Sequence, residues 1–214
     1  MADTVLFDLF GVIARQQSPS GRERLVTTAA VPAPAFWESY WALRTPYDRG
    51  EVSGVEYWRR VASALGTTFD DHRIARLVDA DIASWNAVDD DMVALVEQTA
   101  ASGRRVALLS NIPEDLALHY DRHHRWLKHF AVVAFSCRIG HAKPEPEAYR
   151  WCCRALDLAP GRILFVDDRA ENVAAAEAVG IPGHLFAGPT QARRAIAELD
   201  RERGRGRPVV LDRR

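Results

Sequence analysis

Short apolar segments that alternate with single helices constrain this chain of 214 residues to an α/β fold. The first segment, Val5-Leu6-Phe7, is an unbroken apolar run, which is typical of a strand buried on both faces of a sheet. The later predicted strands are 105–110, 131–136, 162–167 and 183–186. The predicted helices of this part cover 90–101, 113–123, 146–155, 170–179 and 190–199. Strands separated by single helices predict a parallel, doubly wound, Rossmann-like sheet.

A long helical segment separates the first predicted strand from the second. From Ala14 to about Val88 the apolar residues recur at helical spacing, and Ser53 with Glu56 forms a capping box before one of the helices. An Arg- and Gly-rich segment, which we expect to be flexible, ends the chain. The predicted organisation is a core domain (1–14 and 89–200), an inserted helical domain (15–88) and a tail (201–214).

The composition argues against two classes of partner. Apolar residues make up 48% of the chain, charged residues 27%, and the net charge is −1. This balance favours neither nucleic acid nor a membrane as partner, and no apolar run approaches the roughly 20 residues of a membrane span. We read no signal peptide at the N-terminus. The three cysteines (Cys137, Cys152 and Cys153) make a poor disulfide framework, so we expect reduced thiols in a cytoplasmic protein.

Polar side chains stand at the end of four predicted strands or in the loop that follows. They are Asp8, Ser110, Asn111, Lys143, Asp167 and Asp168. Taken singly, each could merely cap a turn or a helix. Because ligands bind beyond the carboxyl ends of the strands in open parallel sheets, the arrival of all six at one edge favours a ligand site.

The chemistry of these groups indicates nucleophilic catalysis with a metal ion. Three neighbouring acids repel one another unless a cation lies among them, and Mg²⁺ suits such an oxygen-rich setting. A carboxylate can attack an electrophilic phosphorus or carbon, while Mg²⁺ and Lys143 neutralise a transferring phosphoryl group. Lys143 is one of only two lysines in the chain. Asn172, four residues after Asp168, either orients the acids or faces solvent.

Four ordered motifs resemble those of the haloacid dehalogenase-like (HAD) hydrolase superfamily. They are "FDLFGV", "LLSN", "AKPEPEAY" and "FVDDRAENVAAAEAVGI". The resemblance covers the whole predicted core, and the inserted helices match the helical cap of that superfamily. "VDDRAENV" and "RIGHAKPEPEAY" resemble the branch that holds glucose-1-phosphatases and the N-terminal phosphatase domain of epoxide hydrolases.

The resemblance implies a role for each residue at the predicted sheet edge. Asp8 would be the nucleophile, Ser110 would bind the phosphate oxygens, and Lys143 would be the bridging cation. Asp168 would ligate Mg²⁺ directly, and Asp167 would act through water. The implied activity is hydrolysis of a small phosphate ester through an aspartyl-phosphate.

Phe10 departs from the pattern of the phosphatases that this chain resembles. Their matching residue is usually an acid that protonates the leaving oxygen and then deprotonates the attacking water. The backbone carbonyl of Phe10 would still bind Mg²⁺, but the acid–base group, typically worth ~10²–10⁴ in rate, is missing.

Three hypotheses therefore stay open. The first is a Mg²⁺-dependent phosphatase that is slow or that acts on esters with good leaving groups. The second is a 2-haloacid dehalogenase, since those enzymes carry an aromatic residue at the matching position, although they use no metal and lack the paired acids. The third is a catalytically weak binding or regulatory protein that kept the fold.

The substrate is predicted to be a small phosphorylated molecule. Arg44 and Arg49, close to Asp48 in the insert, are candidates for binding a substrate anion. Asn111 is a further substrate-binding candidate at the sheet edge. We expect a monomer or a homodimer.

Overall fold

In the computed structural model, which describes residues 3–205, five parallel strands form the central sheet. The strands are β1 (Thr4–Phe7), β2 (Arg105–Ser110), β3 (Val132–Phe135), β4 (Ile163–Asp167) and β5 (Gly183–Leu185). Their order across the sheet is β3-β2-β1-β4-β5. The predicted α/β fold with a doubly wound parallel sheet is confirmed.

Alternation along β1 divides its side chains between two layers of core. Val5 and Phe7 point into one apolar cluster, and Leu6 points into the cluster on the opposite face. All of these side chains are fully buried. This two-sided burial explains why β1 is apolar at every position, as expected for a central strand of a parallel sheet.

Helices cover both faces of the sheet. The helices of this part are α6 (Asp90–Ala101), α7 (Glu114–His123), α8 (Ser136–Ile139), α9 (Pro146–Leu156), α10 (Ala170–Ala178) and α11 (Pro189–Arg205). Buried residues of α6, α7 and α11 join the cluster that contains Val5, and those of α9 and α10 join the cluster that contains Leu6. The connections of the described chain also contain 3-10 helices, at Arg125–His129 and Pro160–Arg162.

The insert between β1 and β2 is helical and has a buried cluster of its own. Within residues 3–205 its helices are α1 (Pro19–Ala29), α2 (Ala33–Ala42), α3 (Arg44–Asp48), α4 (Gly54–Ala64) and α5 (Asp71–Ser84). The cluster is rich in aromatic residues, among them Phe36, Tyr40, Tyr57 and Trp58. Ser53 caps α4 as predicted, because its side chain accepts a hydrogen bond from Glu56 N.

The two segments that lead into and out of the insert run side by side. Arg15 N donates to Ala87 O at 2.8 Å, and Asp89 N donates to Ile13 O at 2.9 Å. This pairing holds the insert at the edge of the sheet where β1 ends.

The structure differs from the predicted elements at a few boundaries. The last helix extends to Arg205 instead of ending at 199, so the first five residues of the predicted tail are helical. Three good helix formers, Arg201, Glu202 and Arg203, precede Gly204 and continue the helix that begins at Pro189. The rest of the predicted tail, 206–214, lies outside the described residues. No helix of the described residues is long and apolar enough to cross a membrane.

Candidate active site

Buried opposite charges meet at the carboxyl edge of the sheet. Asp8 follows β1 directly, and Asp167 is the last residue of β4. Lys143, from the loop between α8 and α9, places its Nζ 2.5 Å from Asp8 Oδ1 and 2.7 Å from Asp167 Oδ2. All three side chains are buried, so their interactions are screened much less than those of surface ion pairs.

Asp168 brings a further carboxylate to this cluster. One oxygen from each of Asp8, Asp167 and Asp168 lies within 4.8 Å of the other two. Oδ1 of Asp168 is buried and has no hydrogen-bond partner within residues 3–205. An orphaned oxygen beside two more carboxylates fits a hard divalent cation such as Mg²⁺, which prefers oxygen ligands.

The turn after β1 brings a backbone oxygen close to Asp168. Gln16 Nε2 lies 3.4 Å from the carbonyl oxygen of Phe10 and 3.3 Å from Asp168 Oδ2, so one amide group spans both acceptors. Gly11, which follows Phe10 in this turn, has a φ of 95°, and a Cβ at this position would overlap Asp168 Oδ2. Glycine at position 11 therefore permits both the turn and its approach to Asp168.

Burial and mutual repulsion shape the protonation of these groups. Burial raises the pKa of Asp8, and the charge of Asp167 raises it further, while Lys143 opposes both effects. The pKa of Asp168 is raised by burial and then by Asp167. The pKa of Lys143 is raised because its two carboxylate partners outweigh the effect of its burial, so the ammonium keeps its charge.

Two asparagines hold the charged groups in place. Asn172 Nδ2 donates to both carboxylate oxygens of Asp167, and Arg169 N donates to Asp167 Oδ1 at 2.8 Å. Asn111 Nδ2 donates to Lys143 O, and its Oδ1 accepts from Lys143 N, each at 2.8 Å. Asn111 thus clamps the backbone of Lys143, a role that the sequence analysis did not foresee for this substrate-binding candidate.

Ser110 ends β2 and is fully buried. Its Oγ has no hydrogen-bond partner within the described part of the chain. A buried hydroxyl without a partner is costly, and a ligand oxygen would satisfy it.

A cavity of about 140 Å³ opens over Asp8 and Lys143. Its walls combine these charges with aromatic rings from Phe10, Trp41 and Trp85. The Phe10 ring packs 4.9 Å from the Trp85 ring, centroid to centroid, and meets Tyr120 edge-on at 5.8 Å. Phe10 therefore builds an apolar wall at the place where an acid was expected to act.

The two arginine candidates of the insert have different surroundings. Arg44 lines the cavity, but it is buried and ion-paired with Asp48 at 2.8 Å and with Asp81 at 2.9 Å. Arg49 is ion-paired with Glu145 and lies outside the set of described residues that line this cavity. The insert therefore offers the cavity an arginine that already has two carboxylate partners.

Several other residues line the cavity without having been predicted from the sequence. They are Gln16, Trp41, Asp48, Trp85 and Arg169, together with Asn172, for which two roles were left open. Asn172 is buried and contacts Asp167, so it orients an acid of the cluster. Trp41 is 50% exposed, which is unusual for a large aromatic side chain. The sequence does not show which aromatic residues of the insert are exposed, so it could not single out Trp41 as a cavity residue.

Comparison with known proteins identifies related hydrolases. A family model of haloacid dehalogenase-like hydrolases matches residues 2–180. The sesquiterpene phosphatase astK of Aspergillus oryzae is 34% identical over 99 residues, which are 45% of this chain and 50% of astK. The chain thus matches half the length of that relative. Protein CbbY of Cereibacter sphaeroides is 27% identical over 221 residues, covering 93% of this chain and 94% of CbbY.

Solved structures share the fold. A HAD family enzyme of Bacteroides thetaiotaomicron, bt-2542, in complex with magnesium and inorganic phosphate, is 18% identical with a TM-score of 0.72, covering 86% of this chain and 93% of that one. The L-2-haloacid dehalogenase RSc1362 is 16% identical with a TM-score of 0.67, covering 92% and 99%. Because both resemble the chain to a similar degree, the fold alone does not separate phosphatase from dehalogenase chemistry.

Proposed function

The chain belongs to the haloacid dehalogenase-like hydrolases, and on that premise we propose that it is a Mg²⁺-dependent phosphatase of small phosphate esters. The observation that supports this most is the carboxylate cluster of Asp8, Asp167 and Asp168, in which Asp168 Oδ1 is buried without a partner among residues 3–205. In this proposal Mg²⁺ is held by Asp8, the Phe10 carbonyl and Asp168, with Asp167 acting through water. When bound, Mg²⁺ supplies positive charge that stabilises the transferring phosphoryl group.

The side chains of the cluster then divide the work of the first step. An oxygen of Asp8 attacks phosphorus, the bond to the leaving oxygen breaks, and an aspartyl-phosphate forms. Lys143 neutralises the phosphoryl oxygens, and Ser110 Oγ donates a hydrogen bond to one of them. Water then attacks phosphorus and releases Asp8 and inorganic phosphate.

We further propose that the helical insert, residues 15–88, is a cap domain that selects the substrate. Its own buried cluster supports its treatment as a separate unit. It contributes Trp41, Arg44, Asp48 and Trp85 to the cavity. A cavity of about 140 Å³ with aromatic walls favours a small substrate with an apolar or aromatic leaving group.

Dehalogenation is the second candidate, and the aromatic ring of Phe10 in the cavity is the observation that favours it. A haloacid carries a carboxylate, which would enter a site where three carboxylates face the ammonium of Lys143. The two arginines of the described cavity lining, Arg44 and Arg169, are already ion-paired with carboxylates of their own. Without a cation such a site repels the substrate. The charge balance therefore favours the phosphatase.

A panel of phosphate esters, assayed for phosphate release with Mg²⁺ and with a chelator, tests the proposal beside a panel of 2-haloacids. We expect Mg²⁺-dependent phosphate release that Asp8→Asn abolishes, with phosphorylated Asp8 trapped in the wild type and detected by mass spectrometry. Metal-independent halide release would support the dehalogenase instead. No turnover on either panel would contradict both and favour the weak binding protein.

A further inference from the structure

Asp48 is a carboxyl group of the insert that shares the small cavity with Asp8 and Lys143. It is the last residue of α3, and its side chain is 15% exposed. Because the cavity holds only about 140 Å³, a small ligand bound over Asp8 also comes within reach of the walls that the insert provides. Phe10 supplies no acid here, and Asp48 is the carboxyl group that the described part of the insert contributes to the cavity lining.

Arg44 is ion-paired with two carboxylates, Asp48 and Asp81, and the charged form of Asp48 is the less stabilised by hydrogen bonds. Asp81 accepts hydrogen bonds from Tyr40 Oη at 2.7 Å and from Arg44 Nη1 at 2.9 Å. Asp48 accepts one from Arg44 Nε through its Oδ1 at 2.8 Å. The partly buried carboxylate of Asp48 and the buried carboxylate of Asp81 share the guanidinium of Arg44. Because two negative charges face one positive charge, a proton on Asp48 relieves the excess negative charge.

The surroundings of Asp48 favour its protonated form. Burial raises its pKa, and the charge of Asp81 raises it further, while Arg44 opposes both. The titratable and charged groups around it in the insert are Arg44, Asp81, Tyr40 and Tyr57. Those of the core that line the same cavity are Asp8, Lys143 and Arg169.

The segment around Asp48 is fixed to the core on both sides. The backbone carbonyl of Asp48 accepts a hydrogen bond from Ser136 Oγ at 2.5 Å, and Tyr47 Oη donates to Asp115 Oδ2 at 2.8 Å. A Cβ at Gly50 would overlap the carbonyl oxygen of Cys137, so this residue allows close contact with the core. Asp48 is therefore anchored to the core beside the segment that leads from Ser136 to Lys143.

We propose that Asp48 is the general acid and base of the phosphatase reaction, in place of the missing acid at position 10. This inference rests on the proposed function. As Asp8 attacks phosphorus, the bond to the leaving oxygen breaks, and that oxygen takes the proton of Asp48 to leave as an alcohol. The Asp48 carboxylate then removes a proton from water, whose oxygen bonds to phosphorus as the bond to Asp8 breaks. Phosphate leaves, and Asp48 is protonated again.

The test is a series of alkyl, phenyl and 4-nitrophenyl phosphates, assayed with Mg²⁺ for the wild type and Asp48→Asn. Asparagine keeps an acceptor for Arg44 but cannot donate the carboxyl proton. We expect kcat/KM for alkyl phosphates to fall by ~10²-fold or more, and that for 4-nitrophenyl phosphate, whose leaving group needs no proton, to fall much less. The decline of the wild-type alkyl rate at high pH, where a general acid loses its proton, should disappear in the variant.

Glu51→Gln is the matched control, because it makes the same change of carboxyl to amide three residues away. Glu51 is exposed, pairs with Arg49, and is outside the described cavity lining. Retained activity on 4-nitrophenyl phosphate also shows that Asp48→Asn folds. Equal losses across all leaving groups, or a profile of Asp48→Asn that matches Glu51→Gln, would overturn the role of Asp48 while the phosphatase stands. If the wild type releases no phosphate from any ester, the proposed function fails first, and this inference fails with it.

Discussion

Asn172 donates its side-chain amide to both carboxylate oxygens of Asp167, at 3.1 and 3.0 Å. Asp167 in turn holds Lys143 at 2.7 Å, so the position of the ammonium depends on an asparagine in the first turn of α10. All three side chains are buried, which makes each lost hydrogen bond more expensive than at a surface.

We predict that Asn172→Ala lowers the free energy of unfolding by about 1–3 kcal/mol, because Asp167 then loses the two hydrogen bonds that Asn172 Nδ2 donates to it. Urea denaturation of the metal-free protein measures this change. Glu171→Gln is the control, since Glu171 is exposed and pairs with Arg169 at the surface. Equal stability of Asn172→Ala and the wild type would show that Lys143 and the backbone N–H of Arg169 are enough to satisfy Asp167.

Mg²⁺ is predicted to stabilise the folded protein through Asp168. At ten times its dissociation constant, a ligand of the folded state adds about 1.4 kcal/mol to the unfolding free energy, so the melting temperature should rise. Asp168→Asn should abolish the rise, because it replaces a carboxylate whose Oδ1 is buried without a partner in the described chain. Calorimetry that finds no binding of Mg²⁺ at millimolar concentration to the wild type would contradict the metal site.

The fold and the charged cluster follow from local patterns in the sequence. Asp8, Lys143 and Asp167 were predicted to meet because the carboxyl ends of parallel strands share one edge, and the structure brings them together. The partners of these groups were harder to foresee. Gln16 reaches Asp168 only through the turn after β1, and this contact joins positions 152 residues apart.

The tertiary contacts of the insert were also hidden in the sequence. Its helices are predictable from apolar spacing, but the way in which they pack is not. The sequence indicates Arg44 as a candidate for binding a substrate anion, whereas the fold buries it against Asp81, 37 residues later. A substrate-binding role for an arginine depends on such tertiary contacts, because a nearby carboxylate takes up its charge.

The raised pKa of Asp48 also predicts how stability depends on pH. Its pKa in the folded state lies above the ordinary value of 3.8, so the folded state binds more protons than the unfolded one in this range. The contribution of Asp48 is therefore fully present below that value and is lost as the pH rises through the folded pKa. Asp48→Asn lacks this loss, so its stability relative to the wild type should increase with pH.

Denaturation of the metal-free proteins between pH 4 and pH 8 measures this difference. Glu51→Gln, whose carboxyl group is exposed, should follow the wild type throughout. A constant difference between Asp48→Asn and the wild type would mean that Asp48 is ionised over the whole range, and the proton donor would have to be sought elsewhere.

The last prediction tests position 10 together with Asp48. Phe10→Asp puts a carboxylate where the resemblance to HAD phosphatases implies one, but it removes a ring that packs against Trp85 and Tyr120. We expect a loss of stability of about 3 kcal/mol, as for other large-to-small changes in packed sites. In the Asp48→Asn background, the new acid should raise the alkyl phosphate rate by ~10-fold or more, below the full range for a general acid because its surroundings are built for a phenyl ring.

Phe10→Leu in the same background is the control, since it also disturbs the packing but brings no proton. A similar gain from both variants would attribute the effect to a wider cavity. A gain from Phe10→Asp alone would show that the two positions can supply the same proton, one from the core and the other from the insert.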